Sequence, residues 1–175
     1  MKLLLHFHAL SLMTVFAFVS LKAHAVAGVP DMSFDGDGYA FPAQGSAKAV
    51  AVQADGKIVI AGEYYDDVTN TDMFVARVNP DGTNDITFSG DGIQRIDFGI
   101  GSDWAWDMVV QPDNKIVLGG YARSLSNHDD FALVRLKPDG SIDTSFSGGR
   151  VTTDFSGSKD TAFAIALQPD GKILQ

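Results

Sequence analysis

Three different words recur along this chain in one fixed order, and that repetition constrains the fold more than any single motif. QADGKIVIAG (53–62), QPDNKIVLGG (111–120) and QPDGKILQ (168–175) form the first set, with Asp55, Asp113 and Asp170 standing 58 and 57 residues apart. DMFVARVNPDG (72–82) and DFALVRLKPDG (130–140) form the second at a constant offset of 58, which pairs Arg77 with Arg135 and Pro80 with Pro138. DMSFDGDG (31–38), DITFSGDG (85–92) and DTSFSGGR (143–150) form the third. Self-similarity at this period selects an architecture of stacked units, none of which buries its apolar surface alone.

Each period holds four strand-like pieces. In the second copy these are GIQRIDF (92–98), AWDMVVQ (105–111), KIVLGGY (115–121) and DFALVRLK (130–137), all rich in β-branched and aromatic residues and bounded by Gly, Pro, Asp or Asn. Asp-Gly and Asp113-Asn114 predict two-residue type I′ hairpins between the second and third pieces. Pro-Asp-Gly at 80–82 and 138–140 predicts type I turns. Val50, Met108 and Ile165, with Val52, Val110 and Leu167, make one face of the second piece bulky. Ala47, Ala105 and Ala162, with Ala49 and Ala164, make the other mostly small. A sheet apolar on both faces must be covered on both. The reading is therefore all-β: tandem four-stranded antiparallel meander blades stacked face to face as in a β-propeller, with an open stack as the alternative.

In combination, DITFSGDG, QPDGKIL and DFALVRLKPDG resemble the delta-60 repeat, a bacterial β-propeller-like repeat, and the likeness covers residues 31–175. The resemblance implies a secreted or surface-exposed bacterial repeat protein, and it brings no shared catalytic residues. The repeats divide as 31–84, 85–142 and a partial 143–175, about 2.5 blades. Propellers close with roughly four to eight blades, so the expectation is a truncated chain, with ring completion by a homo-oligomer as the alternative and a non-functional gene remnant as a third. A cut stack exposes a strand edge and an apolar face, which predicts aggregation.

Residues 1–25 carry Lys2, a mostly apolar run from Ala9 to Val19, and Ala23-His24-Ala25, the pattern of a cleaved secretory signal with cleavage after Ala25 or Ala27. The run is shorter than the roughly 20 residues of a bilayer span. Cleavage removes Lys2 and Lys22 and no acid, so 11 basic residues face 22 acidic ones. Nucleic acid and anionic lipid need clustered cations and are disfavoured as partners. With no cysteine, packing alone holds the fold.

Candidate chemistry is sparse. Three of the four histidines lie in the leader; His128 with Asp129 or Asp130 could serve a Ser-His-Asp site, against the reading of an ordinary Ser-rich loop beside a lone His. No cluster has zinc-ligand spacing. Asp35 and Asp37, alternating with Gly, are a weak Ca²⁺ candidate against the reading of a plain interblade turn, and no other cofactor is implied. Trp104, Trp106, Tyr64, Tyr65 and Tyr121 could stack sugar rings, although Trp106 shares the column of Phe163 and is assigned to core packing. Arg77 and Arg135 read as ion-pair or turn-carbonyl donors. The loops EYYDDVTNTD and YARSLSNHDD differ between copies, and differing loops on a repeated scaffold are where ligands are met. Tyr64, Tyr65, Asp66, Asp67, His128 and Asp129 are therefore the ligand-loop candidates. The leading expectation is a non-catalytic secreted scaffold for protein or glycan contacts; the alternative is part of a propeller hydrolase, of glycosidase or lactonase type, whose active site lies in further blades.

Overall fold

The computed structural model describes residues 29–65, 71–99, 101–123, 128–155 and 157–175; the leader, its cleavage sites, Asp66 and Asp67 lie outside them. Ten strands follow in order: β1 (Gly45–Val52), β2 (Ile58–Tyr65), β3 (Thr71–Val78), β4 (Ile93–Ile96), β5 (Trp104–Val110), β6 (Ile116–Arg123), β7 (Asp129–Leu136), β8 (Arg150–Thr153), β9 (Ala166–Leu167) and β10 (Ile173–Leu174). Strands β1-β2-β3-β4 form one antiparallel sheet and β5-β6-β7-β8 a second, while β9 pairs with β10. Among the described residues no helix is long and apolar enough to cross a membrane.

The two complete sheets stack. Val59, Met73, Val75 and Ile96 of the first share one buried cluster with Met108, Ile116, Leu118 and Val134 of the second. The opposite face of the second sheet, through Val117 and Leu133, packs on Ile165 of the third unit. Strand β6 is thus apolar on both faces, as its IVL run requires. Among the described residues no further sheet stacks on the other side of the first, where Val50 and Val52 are 70% and 69% exposed.

Sheet boundaries and repeat boundaries differ. Strand β4 comes from GIQRIDF, which the word boundary at 84/85 places in the second unit, yet it pairs with β3 through Ile93↔Ala76 and Ile96↔Met73. The word 85–92 reverses the chain and closes a hairpin onto β3, so residues 93–96 complete the preceding sheet. Strand β8 repeats this across the boundary at 142/143, pairing with β7.

The Asp-Gly turns are also not the two-residue type I′ loops predicted from sequence. Gln53 N–H donates to the Lys57 carbonyl at 2.8 Å and Gly56 N–H to the Gln53 carbonyl at 2.9 Å, and only Gly56 has positive φ, at +84°. That is a type I turn followed by a left-handed bulge residue. Asp55 keeps an ordinary φ because its Oδ1 accepts the Lys57 N–H at 3.1 Å. Asn114 at +61° and Gly171 at +83° occupy the same place.

Candidate functional site

Each sheet has a turn end and a loop end. The turn ends of neighbouring sheets meet, since Gln53 Nε2 donates to Asn114 Oδ1 at 3.4 Å. The loop ends meet where Asp103 N–H donates to the Thr71 carbonyl at 2.6 Å.

At the turn end the repeated words are consumed by structure. Asp81 and Asp139 each accept the N–H two residues on, at 3.0 and 2.9 Å. Asp85, buried, accepts Arg77 Nε at 2.6 Å and Lys57 Nζ at 2.8 Å. Burial alone would raise its pKa, but the bonds from Lys57, Thr87 and Arg77 outweigh it and hold the carboxyl well below its ordinary value. Arg77 also donates to the Pro138 carbonyl of the next blade at 2.6 Å and lies 4.7 Å from the Phe88 ring centroid. Arg135, Asp143 and Phe146 repeat the arrangement. Arg77 is thus both ion-pair partner and carbonyl donor, and Arg135 is an ion-pair partner that also reaches the Ser145 hydroxyl; the paired acid comes from the DxTF or DxSF word, eight residues onward.

The weak Ca²⁺ candidates sit in this same machinery. Asp37 Oδ1 accepts the Tyr39 N–H at 2.8 Å, and Asp35 N–H donates to the Asp81 carbonyl at 2.6 Å. Among the described residues the acids whose oxygens converge are Asp72, Asp97 and Asp103 instead. Asp103 is fully buried and spends Oδ2 on Phe98 N–H and Oδ1 on Arg123 N–H, so it ties the interblade loop down. Burial, opposed by those two bonds and helped by the charges of Asp97 and Asp72, pushes its pKa up to about 6.

The loop end differs in kind. A cavity of about 380 Å³ is lined by Arg123, His128, Asp129, Gly157, Ser158 and Lys159. It brings His128 and Asp129 together, but Asp129 is committed to Arg123 at 2.8 Å and Lys159 at 2.7 Å. Burial raises its pKa, and the two cations outweigh that and lower it. Asp129 thus anchors two cations at the edge of the cavity. Tyr64 stacks under Arg95 at 4.3 Å, and the exposed Tyr65 donates its hydroxyl to Glu63 Oε1 at 3.2 Å.

Beside the cavity runs a row of rings. Trp104 lies 5.9 Å from Tyr121 and 5.8 Å from Trp106, which lies 5.7 Å from Phe163. Trp106 is not the core residue predicted from its column. A bulge between Ala105 and Asp107 in β5 breaks the alternation, so Ala105 and Met108 enter the same core cluster although three residues apart, and Trp106 is turned out. A bulge at the same place in β1, between Ala47 and Ala49, turns out Lys48. Lys48, Trp106 and Phe163 are one column of the repeat, and Lys48 Nζ sits 5.2 Å over Trp106 and 5.7 Å over Trp104. Sequence reading missed Lys48 and Glu63. Carrying the Trp106–Phe163 column back one copy would have found Lys48.

Two stretches, residues 53–88 and 111–146, match the family model described as Domain of unknown function (DUF5122) beta-propeller. Both stretches are thus similar to β-propeller repeats, in keeping with the stacked four-stranded sheets. Each match runs from a Gln-x-Asp turn to the Phe of the DxTF or DxSF word, which spans β2–β3 or β6–β7 together with the turn-end staples. The description carries no activity. A comparison with curated proteins finds no match.

Proposed function

We propose that the protein is a secreted, non-catalytic binding scaffold that meets its ligand through the loop end of its stacked blades, with a glycan as the favoured ligand class. The observation that carries this reading is the row Tyr121, Trp104, Trp106 and Phe163, assembled from two successive units, with Tyr121 buried, the two tryptophans half-buried and Phe163 exposed. The turn end is taken up by repeated structural words, whereas the loop end carries rings, charges and the segments that differ between copies. Flat apolar rings with polar neighbours suit sugar faces with hydroxyl rims. The leader-like residues 1–25 support export.

An immobilised glycan panel probed with the mature chain and with Trp104→Ala tests this. Retention by the parent and its loss in the variant, with unchanged circular dichroism, is the expected result. Retention untouched by Trp104→Ala would move the site elsewhere, and release of new reducing ends would make the protein a hydrolase.

A further inference from the structure

The ring row already holds ammonium ions, and they come from the protein itself. Lys48 Nζ is 2.9 Å from Glu63 Oε1 while lying over Trp104 and Trp106. On the far side of the stack, Lys159 Nζ is 2.7 Å from Asp129 and 4.9 Å over Tyr121. Ring faces plus a carboxylate are the chemistry that recognises amines, because the ring quadrupole and the carboxylate attract the same cation.

Two atoms of the Lys48 site are left over. Glu63 is 2% exposed, and its Oε1 takes both Lys48 and Tyr65 while Oε2 has no partner. Trp106 Nε1 is likewise buried without a partner. Buried polar atoms are normally satisfied, so an acceptor and a donor idle in one cluster point to a missing ligand. The blade does not demand these residues: Lys48 stands in the column of Trp106 and Phe163, and Glu63 in the column of Tyr121, whereas the scaffold words repeat. An acidic chain with net charge −9 also draws cations to such a site.

Building on the scaffold reading above, we propose that Glu63, Trp104 and Trp106 form a binding site for an alkylammonium group, occupied within the chain by Lys48 and taken over by an amine-bearing sugar. The sugar ring would stack on the tryptophans, its ammonium would meet the Glu63 carboxylate, and Trp106 Nε1 would donate to a hydroxyl. Lys48 is then a tethered competitor, whose removal tightens binding by the other amine.

The chain contains two tryptophans, both in the site, so intrinsic fluorescence reads it directly. The full mature chain, Lys48→Gln and Glu63→Gln are titrated at fixed ionic strength with tetramethylammonium, a glucosamine oligomer and its fully N-acetylated counterpart. Expected is saturable change with tetramethylammonium and the amine oligomer, roughly tenfold tighter in Lys48→Gln and lost in Glu63→Gln. Response to tetramethylammonium but not the oligomer would assign the site to a small alkylammonium ion and overturn the sugar part. Equal binding of the N-acetylated oligomer would overturn the amine and leave the scaffold reading standing. Silence with all three probes overturns the proposal, and the glycan panel still decides the scaffold independently. Should Lys48→Gln fail to fold, lysine-labelled NMR of the parent decides: the Lys48 signal shifts with the amine oligomer, or the proposal fails.

Discussion

Replacing Arg77 with Ala tests how the repeated words hold one blade to the next. The guanidinium is buried against Asp85, bridges to the Pro138 carbonyl of the second sheet and covers Phe88. Breaking a buried ion pair from one side costs about 3–5 kcal/mol, because the remaining charge is left without its partner. Lys57 stays bonded to Asp85 at 2.8 Å, which places the expected loss at the lower edge, about 3 kcal/mol. Arg135→Ala is the internal control. Its side chain is more exposed, at 17% against 7%, and its contact with Asp143 is longer, at 2.9 Å against 2.6 Å between Arg77 and Asp85. Both arginines cover a Phe ring, so that contribution cancels. In urea unfolding, Arg77→Ala should lower the midpoint by roughly 1–2 M and Arg135→Ala by clearly less. An equal or larger loss in Arg135→Ala would refute the claim that the interblade carbonyl and the tighter pair matter.

Asp103 gives a pH signature. Its folded pKa, about 6, lies above the unfolded value near 3.8, so the folded state binds more protons in that window and stability falls as pH rises from 4 to 6. Asp103→Asn should remove that slope in urea midpoints; an unchanged slope would mean another group carries it. Gly140→Ala should destabilise more than Gly90→Ala: both have positive φ, but a Cβ at 140 would meet Ser89 N at 2.9 Å and the Phe88 ring at 3.1 Å, whereas one at 90 meets nothing within 4 Å. Equal losses by thermal unfolding would deny the close fit of the DxTF word on the Pro-Asp-Gly turn. Val50→Lys with Val52→Lys should cut self-association in light scattering, with stability changed by no more than about 0.5 kcal/mol, because both side chains are exposed. Unchanged association would place the sticky surface elsewhere.

The stacked four-stranded sheets were legible because Val, Ile and Leu columns recur at a fixed period and need cover on both faces. The phase of the sheets was not, since a repeat looks the same whichever strand is counted first; only pairing such as Ile96↔Met73 reveals which sheet β4 completes. Trp106 was misassigned for a related reason: alternation is read by counting, and one bulged residue inverts the count. Asp55 and Gly56 show a third limit, because the longer turn, in which the Lys57 N–H donates to the Asp55 carboxylate, is not stated by the dipeptide alone. Tyr65, Trp104 and Tyr121 were named as candidates from residue type. Their shared location at the loop end, and the part played by Lys48 and Glu63, came from register and cross-blade distances that no single copy contains.

The central claim is that the two ends of the blades divide structure from recognition. An amide NMR map recorded while glycans retained on the panel are titrated in tests it most directly. The account requires shifts concentrated at Tyr65, Trp104, Trp106, Tyr121 and Arg123, with Asp55, Asp81, Asp113 and Asp139 unmoved. Shifts centred on those four aspartates, with the ring row silent, would contradict it.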